Sequence, residues 1–85
     1  MVSTAIVLLN CEVGSAKGIA NEFQKVSEIN EVREVMGFYD IIMRISANSV
    51  DELKEIITKQ LKKTDKIFST TTLVLTSSGE NTLFQ

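Results

Sequence analysis

The side chains that could do chemistry fall into two short runs. Met36-Gly37-Phe38-Tyr39-Asp40 sets a glycine, two aromatic rings and a carboxylate between apolar stretches, and Ser69-Thr70-Thr71-Thr72 offers four consecutive hydroxyls. Thr70 and Thr72 stand two apart, so on a strand they share a face. Two adjacent hydroxyls can hold one carboxylate or one polar head group. Gly37, lacking a side chain, lets a ligand approach the backbone and its N–H. Each feature also has a plainer reading. Hairpin turns need φ > 0, which glycine supplies. A carboxylate at a turn usually shapes the turn. Threonine is favoured in strands. Asp40 is the hardest to explain away, because it opens a strand, where aspartate is disfavoured. Something must compensate for it there.

Catalysis and metal binding find little support. The chain has no histidine, hence no imidazole base, and its one cysteine, Cys11, has no such partner to activate it. The acidic residues are scattered over separate segments, and no Cys/His cluster exists to hold a metal. No catalytic residue, metal or cofactor is expected.

The totals narrow the class further. An 85-residue chain with 44% hydrophobic residues is one small folded domain. A core of that size is marginal without help, and association with another copy is the usual help. With 9 basic and 11 acidic residues the net charge is −2, which argues against direct nucleic-acid binding. The longest apolar run, Ala5 to Leu9, is far below the ~20 residues of a spanning helix, and no signal-peptide pattern precedes it. A single thiol fits a reducing compartment. A cytoplasmic protein without membrane contact is expected.

Positioning these runs requires strands and helices. Thr4 to Cys11 is short, apolar and β-branched, a buried strand. Gly14 and Ser15 break it. Ala16, Ile19, Ala20, Phe23 and Val26 then make one helical stripe, with Ser15 placed as its N-cap. Ile29 to Met36 reads as a strand of poor alternation. Tyr39 to Ser46 reads as its hairpin partner, with Ile41, Met43 and Ile45 on one face. Ser49 and Glu52 match a capping box, followed by the stripe Leu53, Ile56, Ile57 and Leu61. Ile67 to Thr76 is a last strand.

The order β-α-β-β-α-β predicts an α+β, ferredoxin-like fold: a four-stranded antiparallel sheet with both helices on one face. Its first and third strands occupy the centre. No residues remain to cover the other face, so a second copy should cover it, giving a dimeric sandwich. Leu8, Met43 and Val74 argue against a polar outer face. The domain is expected over residues 1–76, with 77–85 as a tail. That tail ends in "ENTLFQ", which shares Glu80, Asn81, Phe84 and Gln85 with Glu-Asn-Leu-Tyr-Phe-Gln, the site of a tag-removing viral protease. A tag remnant and a native end are equally compatible with it.

Three segments, "AIVLLNCEVG", "VMGFYDIIMRI" and "ELKEIITKQLKKTDKIFSTTTLVL", resemble the C-terminal effector (RAM) domain of the Lrp/AsnC family of transcription regulators. That family has a Thr-Gly-x-Tyr-Asp turn, matched from Met36 to Asp40, and an apolar residue followed by x-x-Thr-x-Thr, matched by Ile67, Thr70 and Thr72. The resemblance covers residues 4–76. It implies dimers joined through their sheets, assembling further into octameric rings, that bind amino acids or related metabolites at subunit contacts. Carried over, the ligand-binding residues are Gly37, Tyr39, Asp40, Thr70 and Thr72, with Met36 and Phe38 lining the pocket. Asp40 would accept the ligand's ammonium. Backbone N–H groups beside Gly37 and the two hydroxyls would hold its carboxylate. Met36 replaces the family's threonine, which leaves the ligand's identity open. The chain starts at the first RAM strand, without the family's helix-turn-helix, so the resemblance is to a stand-alone form or to an isolated domain of a longer protein, and Met1 just before the strand favours the former. A stand-alone form would act on transcription through oligomerisation, in company with full-length Lrp-type regulators and without touching DNA itself.

Other classes share parts of this pattern. An ACT-like amino-acid-binding domain has the same topology, with its contacts near Val13 to Ser15. A small dimeric α/β-barrel enzyme and a purely structural dimer also fit the element order. The missing histidine argues against the enzyme.

Overall fold

The computed structural model describes residues 2–75, and the tail 77–85 lies outside the described residues. Its elements run β1 (Ser3–Cys11), α1 (Ala16–Gln24), β2 (Ile29–Glu34), β3 (Ile41–Ala47), α2 (Val50–Leu61) and β4 (Ile67–Leu75). The four strands form one antiparallel sheet in the order β2-β3-β1-β4. The β-α-β-β-α-β expectation holds, with β1 and β3 at the centre.

Strict alternation makes β1 a divider between two faces. Ala5, Val7, Leu9 and Cys11 are buried and face the helices; the residues between them face away. β3 repeats the pattern with Ile41, Met43, Ile45 and Ala47. Ile19, Ala20 and Phe23 of α1 and Leu53 of α2 close the core from above. Each large side chain so buried contributes about 1.5–3 kcal/mol of transfer free energy.

The poor alternation of β2 has a structural cause. A bulge between Ile29 and Glu31 shifts its register against β3, so Ile29 and Val32, three apart, both reach the core. β2 also ends at Glu34, two residues before the expected Met36, and β3 begins at Ile41, two after the expected Tyr39. Gly37, at φ +124°, turns the chain between them.

Helix starts differ. Ser49 is extended, and its Oγ accepts the Glu52 N–H at 3.1 Å, as the capping box requires. Ser15 also stands at the N-cap, but in a helical conformation, and its hydroxyl makes no cap bond.

The outer face corrects one expectation. Of Leu8, Met43 and Val74, only Leu8 lies on it. Met43 is buried beneath the helices, and Val74 pairs with Ala5 of the covered face. The apolar residues of the uncovered face include Ile6, Leu8, Ile42, Leu73 and Leu75, with Leu73 48% exposed. α1 packs on β2, and α2 on β1 and β3. β4 extends past both helices and is half-buried or exposed along its whole length.

Candidate functional site

The hairpin turn lies against the end of β1, and Asp40 makes the connection. Its N–H donates to the Leu9 carbonyl at 2.8 Å, and its own carbonyl accepts the Val35 N–H at 2.9 Å. Its carboxylate oxygen Oδ2 accepts the Cys11 N–H at 2.9 Å. This resolves the puzzle of an aspartate at a strand start. β3 ends there as a partner, so the last N–H of β1 needs an acceptor, and a carboxylate supplies a strong one. Oδ1 makes no hydrogen bond among the described residues.

Tyr39 reaches across the sheet. Its hydroxyl lies 3.2 Å from Thr71 Oγ1, so the turn is tied to β4 over the outer face. Beside it the Asn10 amide donates to Ser69 Oγ at 3.2 Å. Met36 and Phe38 project from the turn almost fully exposed, at 100% and 94%. No backbone or side chain lies within 4 Å of where a Gly37 Cβ would stand.

Thr70 and Thr72 point elsewhere. Thr70 pairs with Leu9 and Thr72 with Val7, so both sit on the helix side of the sheet, exposed because β4 extends beyond the helices. A bulge explains why Ile67 joins them. Asn10 faces Ser69 but Cys11 faces Ile67, so one extra residue, Phe68, is inserted into β4. Ile67, Thr70 and Thr72 thus share a face. Within one chain the structure gathers Tyr39 and Asp40 at the end of β1, and it does not bring Thr70 or Thr72 to them. Thr71, Asn10 and Ser69 stand with Tyr39 instead. Only the cross-strand register places them there, and no local sequence signal carries it.

The electrostatics of this end are negative. Burial pushes the Cys11 thiol above its ordinary value, and the Asp40 carboxylate, by charge and hydrogen bond, pushes it further, with Glu12 and Glu34 adding to the same field. A protonated, buried thiol is a poor nucleophile. The field that disfavours a thiolate favours an ammonium ion. Among the described residues no cluster of three or more His, Cys, Asp or Glu is arranged to hold a metal. No described helix is long and apolar enough to cross a membrane.

Comparison with known proteins agrees with this architecture. Residues 4–82 match the model of the Lrp/AsnC ligand binding domain. An uncharacterized HTH-type transcriptional regulator of Pyrococcus horikoshii, PH0140, is 32% identical over 73 residues, covering 86% of this chain and 46% of the regulator. The chain thus spans about half the length of the curated relatives it matches. Among solved structures, the hypothetical protein PHS023 from Pyrococcus horikoshii superposes with a TM-score of 0.82 at 26% identity, over 89% of this chain and 90% of that one. Escherichia coli AsnC superposes with a TM-score of 0.78 at 19% identity, over 86% of this chain and 50% of that one.

Proposed function

The chain belongs to the Lrp/AsnC ligand-binding domain family, and from that premise we propose that it senses an amino acid or related small metabolite and modulates transcription through its oligomeric state. The family is one of regulatory domains of transcription regulators, not of enzymes. The single observation that carries the reading is the family match over residues 4–82 of an 85-residue chain.

The site geometry supports it in physical terms. Asp40 keeps Oδ1 for a ligand ammonium while Oδ2 holds β1. Glu12 and Glu34 reinforce the negative field there. Tyr39 is fixed by Thr71, so it offers a ring held in place. Gly37 leaves the turn backbone open to a carboxylate. Thr70 and Thr72 face the other side of the sheet, so in this proposal they reach a ligand held at the turn of a neighbouring copy. Met36 and Phe38, exposed in one chain, would line that shared pocket. The outer face, with Ile6, Leu8 and Ile42, would be the surface through which dimers form. A soluble assembly working in the cytoplasm, beside full-length Lrp-type regulators, fits these features.

Isothermal calorimetry against the twenty amino acids tests the reading. At least one should bind with about millimolar affinity or better. Absence of heat from every one, with folded protein in the cell, overturns the amino-acid assignment.

A further inference from the structure

A second site lies on the opposite side of the molecule from the hairpin's Tyr39–Thr71 contact. A cleft of about 500 Å³ opens between the start of α1 and the end of α2. Small-ligand pockets fall in this size range.

One wall is the N-terminus of α1, and it lacks a cap. The Ser15 hydroxyl makes no bond to the helix, and the first helical backbone bond runs from Ile19 N–H to the Ser15 carbonyl. The N–H groups of Ala16, Lys17 and Gly18 are therefore left without a backbone or cap partner among the described residues. No acidic residue in the first turn neutralises them. Gly14, at φ +86°, and Gly18 border the cleft without side chains, and a Cβ added at either would touch nothing within 4 Å. The backbone is bare where a ligand would meet it.

The independent observation is Gln60. It is the one buried polar residue among those described, 7% exposed, and it lines this cleft. No hydrogen bond ties its carboxamide to another described group. Yet among the described residues no fully occluded side-chain N or O lacks a partner. Its amide therefore keeps some accessible surface, and the cleft that Gln60 lines is where a ligand would meet it. A buried amide held without a partner is costly unless something polar meets it.

Lys63 and Lys66 stand on the rim, and neither pairs with a carboxylate among the described residues. The one acid on the rim, Glu22, is drawn to Lys25 at 3.6 Å. Ile19 and Phe23 give an apolar floor.

The geometry points to a binding site for a small phosphate-bearing molecule, its phosphate on the α1 N-terminus between Lys63 and Lys66, its remainder against Gln60 and the apolar floor. Backbone N–H donors, a helix dipole and two lysines border one cleft, a combination that suits a group carrying about −1.5 to −2 charge better than a single carboxylate. This site shares no residue with the hairpin, so it stands or falls independently of the amino-acid reading.

NMR of the isotope-labelled full chain tests it, with inorganic phosphate as the probe. Phosphate should produce saturable shifts at the Ala16, Lys17 and Gly18 amides. Affinity should fall at least about tenfold in the Lys63→Ala/Lys66→Ala variant, whose exposed positions leave the fold unchanged. Gln60→Leu, close in volume, should raise thermal stability and leave inorganic phosphate binding unchanged, because only the remainder of a larger ligand meets Gln60. Shifts no larger than those from sodium chloride at equal ionic strength overturn the site. So do shifts unaltered in the double lysine variant. Acetate binding as tightly as phosphate overturns the phosphate assignment.

Discussion

Asp40 Oδ2 accepts the Cys11 N–H at 2.9 Å, so one carboxylate both ends the central strand and borders the turn. A strand terminus and a candidate ligand contact share a side chain. Its two oxygens divide the work, and substitutions can separate them.

Asp40→Ala removes both roles. The Cys11 N–H loses a charged acceptor, and urea denaturation should show a loss of about 1–3 kcal/mol. Asp40→Asn keeps an oxygen for that N–H and discards the charge. It should cost less than about 1 kcal/mol while weakening any ammonium-bearing ligand at least tenfold, about 1.4 kcal/mol or more. Wild-type affinity in Asp40→Asn, read by calorimetry, would refute the ammonium role.

The same substitution should act with opposite sign at two glycines. Gly37 holds φ +124°, where a side chain is strained even though nothing stands near its Cβ. Gly37→Ala should therefore destabilise by about 1–3 kcal/mol. Gly18 lies in the first turn of α1 with open space around it. Gly18→Ala should stabilise by up to about 1 kcal/mol. Thermal melts of the two variants check both, and equal shifts in the same direction would contradict the backbone argument.

The uncovered sheet face should be an interface. Leu8 sits at its centre between Ile42 of β3 and Thr71 of β4. Leu8→Asp should leave the helix-side core intact, since Leu8 does not face it. Sedimentation should then show monomer at roughly micromolar concentration, where the wild type is at least a dimer. A wild type that sediments as a monomer removes the basis for dimers through this face.

Cys11 should make the protein sensitive to alkali. Burial and the Asp40 carboxylate raise its folded-state value above the ordinary 9.0 at which the unfolded thiol titrates. Below that pH both states are protonated and the thiol adds no pH dependence. Above it the unfolded chain releases the proton and the folded chain keeps it, so stability falls as pH rises. Cys11→Ala should flatten this slope above about pH 9 relative to the wild type, measured by denaturant midpoints. Parallel slopes would show that other groups cause it.

The sequence made the topology legible because each element carried its own period. β1 alternates, α2 repeats from Leu53, and Ser49 caps α2 as its spacing implies. What it concealed depended on register. The bulge at Ile29–Glu31 hid the pattern of β2, and the one at Phe68 decided which threonines share a face with Ile67. Asp40 was visible as an anomaly, but its partner, the Cys11 N–H, is a backbone group that no side-chain motif announces. Gln60 had a readable signal, seven residues on from Leu53 and thus on the same helix face, masked by its polarity.

The placement of β4 also bears on how the chain folds. Among the described residues β4 is the last strand in chain order and its one neighbour in the sheet is β1, the first, and the contact Asn10–Ser69 spans 59 residues. The loop-closure entropy of that pairing must be met before its ladder forms. On a ribosome, β1, β2 and β3 can associate with their helices while β4 is still in the exit tunnel. During that interval β1 offers a free edge bearing Thr4 to Cys11, and it stays open to foreign strands until β4 emerges and pairs with it.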